Sequence, residues 1–260
     1  MNKKYITSAQ NPSIKLAKEL LKKRAVRRKQ GLFVIEGIRA VKEIPSHIII
    51  QTLLVSDTLE EQYYEHIQTK ETLIMPENLF QSISETAAPQ GIMAIVHRVD
   101  LGLEQLNFQE GAYLILENLQ DPGNLGTIIR TAHAFDFKGI FMTKGCVDLY
   151  SPKVVRSTMS SLFYTPIVVD GEIETYIEYL KKKGVTIYTT ALNDQAKWVY
   201  DMQFEKNMAI VIGNEGNGVS DYCIEHTDHT MIIPMPGGAE SLNASVATAI
   251  CMYEVIRQNK

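Results

Sequence analysis

Residues 231–249 read MIIPMPGGAESLNASVATA. An apolar run fit for a buried strand (Met231, Ile232, Ile233) enters Pro234, Met235, Pro236, Gly237 and Gly238, and then Ser-Leu-Asn leads into a long helical pattern. A strand-to-helix turn needs only a few residues and one capping side chain. Prolines remove amide donors and fix φ, and glycines let other atoms come close. The connection is therefore expected to wrap around something, with Ile233 and Leu242 as apolar walls and Ser241 and Asn243 as helix cap or substrate contacts.

Working backwards, short continuous apolar runs alternate with helical patterns: AYLILEN (112–118), GIFMT (139–143), TPIVV (165–169), VTIYTTAL (185–192) and MAIVIG (208–213). Such runs mark a mainly parallel sheet covered on both faces, an α/β fold. The first hundred residues form a smaller α/β unit, with strands at GLFVIEG, LLVS, TLIM and GIMAIVHRV and helices at 13–24, 58–67 and 76–83. The polar text DLGLEQLNFQEG between them reads as a linker. The expected organisation is 1–100, a linker at 101–111, and 112–260.

In an open parallel sheet, ligands sit beyond the carboxyl ends of the strands. Two further strand ends carry unusual chemistry. ENLQDPGNLGTIIRTA (117–132) is turn-forming at Asp121–Asn124, with Arg130 six residues beyond Asn124; the plain alternative is a capped helix with an exposed arginine. IVIGNEGNGVS (210–220) has glycines at 213, 216 and 218. The order is G-x-x-G-x-G, not a dinucleotide fingerprint, and no Lys-Ser/Thr follows. Glu215 in the middle would repel phosphate. The loop suits a cationic or neutral, phosphate-free ligand, of which S-adenosylmethionine is one.

The chain has 260 residues, 45% hydrophobic and 22% charged, an ordinary globular composition. There is no run long enough to cross a bilayer and no signal-peptide pattern, so a cytoplasmic location is expected. Cys146, Cys223 and Cys251 are scattered and match no zinc or redox spacing, so no metal is expected. Net charge is −4, yet residues 1–42 hold twelve Lys or Arg against Glu19 and Glu36. That stretch is +10, which leaves −14 for the remainder. Such asymmetry points to nucleic acid, against the plainer reading of a solvated basic helix. The expected RNA contacts are Lys22, Lys23, Arg24, Arg27, Arg28, Arg39 and Arg156.

The three loops, in order, resemble the SpoU (TrmH-type) RNA ribose methyltransferases of the SPOUT superfamily. The matching residues are N-x-G-x-x-x-R (Asn124, Gly126, Arg130), IGNEGNG, and IPM-x-G-x-x-x-SLN-x-S-x-A from Ile233 to Ala247, with DLYSPKVVRSTMSSLF (148–163) between. ITSAQNPSIK and FVIEGIRAVKE are similar to the ribosomal-protein-like substrate-binding domain that many members carry. The resemblance implies a trefoil-knotted domain, an exception to the rule that chains avoid knots, and a homodimer with the site near its interface. It implies S-adenosylmethionine held by Gly213, Ile233, Leu242 and Asn243, with Thr190 and Ala191 nearby. Asn124, Arg130, Glu215, Ser241 and Asn243 would line a reaction site for 2′-O-methylation. Ribosomal RNA, 23S above all, is the expected substrate, with tRNA as the alternative. Base methylation, a non-catalytic assembly factor and a DNA-binding regulator are the competing readings.

Overall fold

In the computed structural model, which describes residues 3–191 and 196–259, the chain opens with β1 (Lys3–Tyr5), α1 (Pro12–Lys22), α2 (Arg24–Gln30), β2 (Leu32–Glu36) and α3 (Ile38–Lys42). It continues through β3 (Ile50–Ser56), β4 (Glu71–Met75), α4 (Glu77–Gln81) and β5 (Ile92–His97). Next come β6 (Ala112–Leu116), α5 (Pro122–Ala134), β7 (Gly139–Thr143), α6 (Pro152–Thr158), β8 (Ile167–Gly171), α7 (Ile173–Lys182) and β9 (Thr186–Thr190). The chain closes with β10 (Lys197–Trp198), β11 (Met208–Ile212), α8 (Asp221–His226), β12 (His229–Ile232) and α9 (Ala244–Gln258). Leu192, the end of the strand expected over 185–192, lies outside the described residues. Among the described residues no helix is long and apolar enough to cross a membrane.

Two compact units result: Met1–Val99 with Asp148–Phe163, and Asp100–Val147 with Tyr164–Lys260. The first is built on a mixed sheet ordered β1-β4-β3-β5-β2. Asn11 caps α1 by accepting from Ser13 N at 2.9 Å, and the helix buries Ile14, Ala17, Leu20 and Leu21 against Leu32, Leu54 and Met93. The helix expected over 13–24 ends at Lys22, and the basic run KKRAVRRK is divided between it and a second helix. Lys23 is extended (φ −119°, ψ 109°), which ends α1 and starts α2 on a new axis, and Gly31 closes α2 in the left-handed region. The helix expected over 58–67 reduces to one short 3₁₀ turn, Glu61–Tyr63. Asp148–Phe163, expected in sequence to belong with residues 112–260, packs with the first unit. Tyr150 meets Phe33 with ring centroids 4.6 Å apart.

The second unit carries a seven-stranded, wholly parallel sheet ordered β10-β12-β9-β11-β6-β7-β8. Its central strands are fully buried, as their unbroken apolar runs require. On one face α7 buries Tyr176, Ile177 and Leu180 against Tyr113, Phe141 and Ile187, and α5 packs along α9. The residues read as a linker are not free. Leu101 N donates to Ile167 O at 2.8 Å, and Phe108 stacks on Tyr113 at 5.3 Å. Strand order reverses between β6 and β11, the kind of switch point at whose carboxyl edge ligands bind.

Candidate active site

The loop after β11 is folded by its own polar atoms. Asn214 and Gly218 exchange backbone hydrogen bonds of 2.8 and 2.9 Å, and Asn214 Oδ1 accepts from Gly216 N and Asn217 N. Gly213 is required where the loop closes: a Cβ there would lie 2.1 Å from the Gly218 carbonyl carbon. This turn presents Glu215 to the loop after β6. Its carboxylate accepts from Gln120 N (3.0 Å), Asp121 N (2.9 Å) and Asn124 Nδ2 (3.0 Å). Asp121 in turn caps α5 by accepting from Asn124 N at 2.8 Å.

The contacts continue into the third loop. Asn124 Oδ1 accepts from Asn243 Nδ2 at 2.9 Å, and Asn243 Oδ1 accepts from Ser245 N, Ser245 Oγ and Val246 N at the start of α9. A carboxylate only accepts, so it fixes which way both amides point. Glu215, Asn124 and Asn243 thus form one directional relay joining three strand ends. Partial burial works against the Glu215 charge, but the bonds from Asn124, Gln120 and Asp121 outweigh it and hold the carboxyl below its ordinary value. Glu215 is therefore an ionised clamp with both oxygens engaged, not a free base.

Beside the relay lies a cavity of ≈ 620 Å³ at the carboxyl ends of β9, β11 and β12, within the ~300–1,000 Å³ typical of small-molecule sites. Thr190, Ala191, Gly213, Ile233 and Leu242, all expected around the cofactor, line it together with Glu215 and Ser241. Asn243 and Asn124 stand behind it in the relay. Asp221 and Glu240 add carboxylates, and no Lys or Arg is among its described lining residues. Apolar walls with acidic groups fit a sulfonium compound and disfavour a phosphate ester. Among the described residues no cluster of His, Cys, Asp and Glu could hold a metal ion.

Arg130 is not brought to this cavity. Six residues along an α-helix turn by ~240°, so Asn124 is buried while Arg130 is exposed. Among the described residues Arg130 has neither hydrogen bond nor ion pair. Sequence reasoning also passed over Glu117, an acid at the end of the apolar run LILE. It is 4% exposed and accepts from Ser220 N (2.8 Å) and Cys223 Sγ (3.4 Å), which anchors α8 beneath the cavity. The cysteines are buried, and desolvation pushes Cys223 and Cys251 up to about 12, so they are inert thiols.

Of the expected RNA contacts, Lys22, Lys23, Arg24 and Arg28 are exposed on α1, α2 and the break between them. Arg27 is the exception and corrects the expectation. It is 5% exposed, its Nε donates to Asp148 Oδ2 at 2.8 Å, and its Nη1 donates to Leu21 O at 3.1 Å and to Leu20 O. The new axis of α2 turns this one cation inward. Arg39 and Arg156 are exposed and share a groove of ≈ 290 Å³ in the first unit, where Arg39 pairs with Glu43 at 2.7 Å.

Fold and cavity together define an α/β domain built to hold a cationic, phosphate-free small molecule at the carboxyl edge of a parallel sheet. The chain belongs to the SpoU rRNA methylase family, which matches residues 111–253. Residues 11–94 match the MRM3-like substrate binding domain. Over 97% of its length the chain is 36% identical to the 23S rRNA (guanosine(2553)-2′-O)-methyltransferase of Bacillus subtilis, covering 99% of that protein. It is 30% identical, over 92% of its length and 87% of the relative, to the 23S rRNA (uridine(2479)-2′-O)-methyltransferase of Streptomyces viridochromogenes. An AdoMet-bound rRNA methyltransferase from Sinorhizobium meliloti superposes with a TM-score of 0.87 at 30% identity, over 98% of each chain.

Proposed function

We propose that this protein transfers the methyl group of S-adenosylmethionine to a ribose 2′-hydroxyl of 23S ribosomal RNA. The observation that carries the reading is the acid-lined cavity that gathers Thr190, Ala191, Gly213, Ile233 and Leu242 at one sheet edge. Two near-full-length relatives are named for different bases, a guanosine and a uridine, but for the same ribose oxygen. This supports chemistry at the sugar rather than the base. When bound, S-adenosylmethionine supplies an electrophilic methyl group on sulfur. The protein's task is then positioning and charge stabilisation.

The relay keeps three loops in register around that group, and Ser241 and Asn243 stand at its edge. Arg130, exposed on α5 away from this chain's own cavity, is assigned to substrate held at the cavity of a second copy: its guanidinium, with a pKa above ~12, is a poor base and a good partner for a developing alkoxide or a phosphate oxygen. The proposal extends to a homodimer. Leu242, just before α9, and Val246, Ile250 and Tyr253 on it follow helical spacing and are 37–59% exposed, an apolar ladder that starts at the cavity wall. A second copy on this ladder would put an interface beside the site and bring further groups to it. A trefoil knot at the connection from Ile233 to Asn243, RNA capture by the first unit, and action in the cytoplasm complete the reading.

The test is incubation of the protein with labelled S-adenosylmethionine and total RNA from cells lacking the gene, followed by nucleoside analysis of size-separated RNA. A 2′-O-methylated nucleoside in 23S RNA is expected. Label on a base or confined to tRNA would overturn the assignment. Arg130→Ala is expected to lower turnover at least ~100-fold with cofactor affinity unchanged, the loss typical of one oxyanion-stabilising donor.

A further inference from the structure

Trp198 is the chain's single tryptophan, and it is not in the core. It is 52% exposed, its neighbour Tyr200 is 49% exposed, and their ring centroids lie 5.5 Å apart at an interplanar angle of 52°. Between them Val199 is buried at 4% exposure. The segment is thus pinned at Val199 while two aromatic rings stay half-exposed beside each other, an arrangement that core packing does not explain.

Their place in the sheet gives the pair meaning. β10 pairs in parallel with β12, with Lys197 opposite Met231 and Trp198 opposite Ile232. Met231 is in turn opposite Thr190 of β9. Trp198 therefore sits at the carboxyl edge of the sheet, one strand beyond cavity-lining Ile232. We propose that Trp198 and Tyr200 form a stacking platform for an unpaired base of the RNA substrate, next to the nucleotide presented to the cavity. This rests on the RNA-methylation reading and adds to it a means of holding the flanking nucleotide.

The chemistry favours RNA over other occupants. Ribose hydroxyls line the open minor groove of an RNA helix, but a nucleotide that enters a recessed cavity must leave its stack, which leaves neighbouring bases without their partners. Single-stranded RNA recognition relies on aromatic side chains that replace those partners. Lys197, exposed beside Trp198, supplies a cation for the adjoining phosphate. A two-residue edge strand offers too little backbone for strand addition by a peptide. The apolar ladder for self-association lies on α9 instead.

The single indole makes the test direct. The full-length protein is titrated with a single-stranded 12-nucleotide RNA and with a duplex of the same sequence, following tryptophan fluorescence. The single strand is expected to quench Trp198 and the duplex to leave it nearly unchanged. Trp198→Ala should weaken binding of a 23S RNA transcript by roughly 5- to 150-fold, the effect of losing one stacked base. Trp198→Phe should restore most of it, with cofactor affinity and oligomeric state unaltered. Unquenched fluorescence with single-stranded RNA bound, or wild-type RNA affinity in Trp198→Ala, would overturn the platform. So would a change of oligomeric state in Trp198→Ala, which would assign the surface to a contact between copies. Binding and fluorescence are read without methyl transfer, so failure of the proposed reaction would be seen separately.

Discussion

Replacing Arg27 with methionine separates a structural cation from an RNA-binding one. In the folded protein Arg27 pairs with Asp148 and donates to the carbonyls of Leu20 and Leu21 at the end of α1. Methionine fills much of the volume but leaves a carboxylate and two carbonyls without their donor. Removing one partner of a buried pair costs ~3–5 kcal/mol. Asp148 keeps one bond, from Tyr150 N at 3.1 Å, and its side chain is 15% exposed, so water can reach it. The expected loss is therefore at the lower end, about 3 kcal/mol. Arg27→Met with Asp148→Asn should recover ~1–2 kcal/mol of it, because no unpaired charge remains. Urea unfolding followed by circular dichroism gives the free energy, and hydrogen exchange of peptides from α1 and α2 locates it. Lys22→Met, at an exposed position, serves as the contrast: stability within ~0.5 kcal/mol and weaker, less salt-dependent RNA binding. A loss under about 1 kcal/mol in Arg27→Met, with RNA affinity reduced as in Lys22→Met, would refute the burial argument and return Arg27 to the RNA surface.

Glu215 has a folded pKa below its ordinary value of 4.5, so its contribution is present above that value and is lost as pH falls through the lowered one. Urea midpoints measured from about pH 6 down to about pH 3 should fall more steeply for the wild type than for Glu215→Gln; parallel curves would remove the carboxylate from the relay. Gly213→Ala forces a Cβ into the Gly218 carbonyl group and should cost ~1–3 kcal/mol as an overpacked site, with cofactor binding lost by calorimetry. Unchanged binding would mean that the loop can open at no cost. Ile250→Asp places a charge on the α9 ladder and is expected to halve the mass seen by sedimentation while circular dichroism stays native. An unchanged mass would put the interface elsewhere.

Much of the second unit is legible in sequence because parallel strands buried on both faces read as unbroken apolar runs, such as LIL at 114–116 and AIVI at 209–212. The punctuation after them marked all three loops. What remained hidden is what depends on direction rather than composition. A run such as KKRAVRRK does not disclose which cation turns inward; that follows from the extended backbone of Lys23. The stretch 101–111 reads as polar, yet Leu101, Leu103, Leu106 and Phe108 all reach the core of the second unit. Asn124 and Arg130 read as neighbours in one motif, and helical geometry puts them on different sides of α5. Glu117 passed unnoticed because a single acid at a strand end resembles any exposed terminus.

The relay has a consequence for the order in which the protein is made. Glu215 meets Asn124 across 91 positions, and Asn243 meets Asn124 across 119. During synthesis the loop after β6 emerges early, with its carboxylate and amide partners still untranslated. Contacts so distant along the chain form late and slowly. The cavity closes only when the connection into α9 has left the exit tunnel. A nascent chain halted before Asn243 would already carry its basic first helices while lacking one wall of the cavity. Under the proposed function, RNA capture would thereby be acquired before chemistry in the life of each molecule.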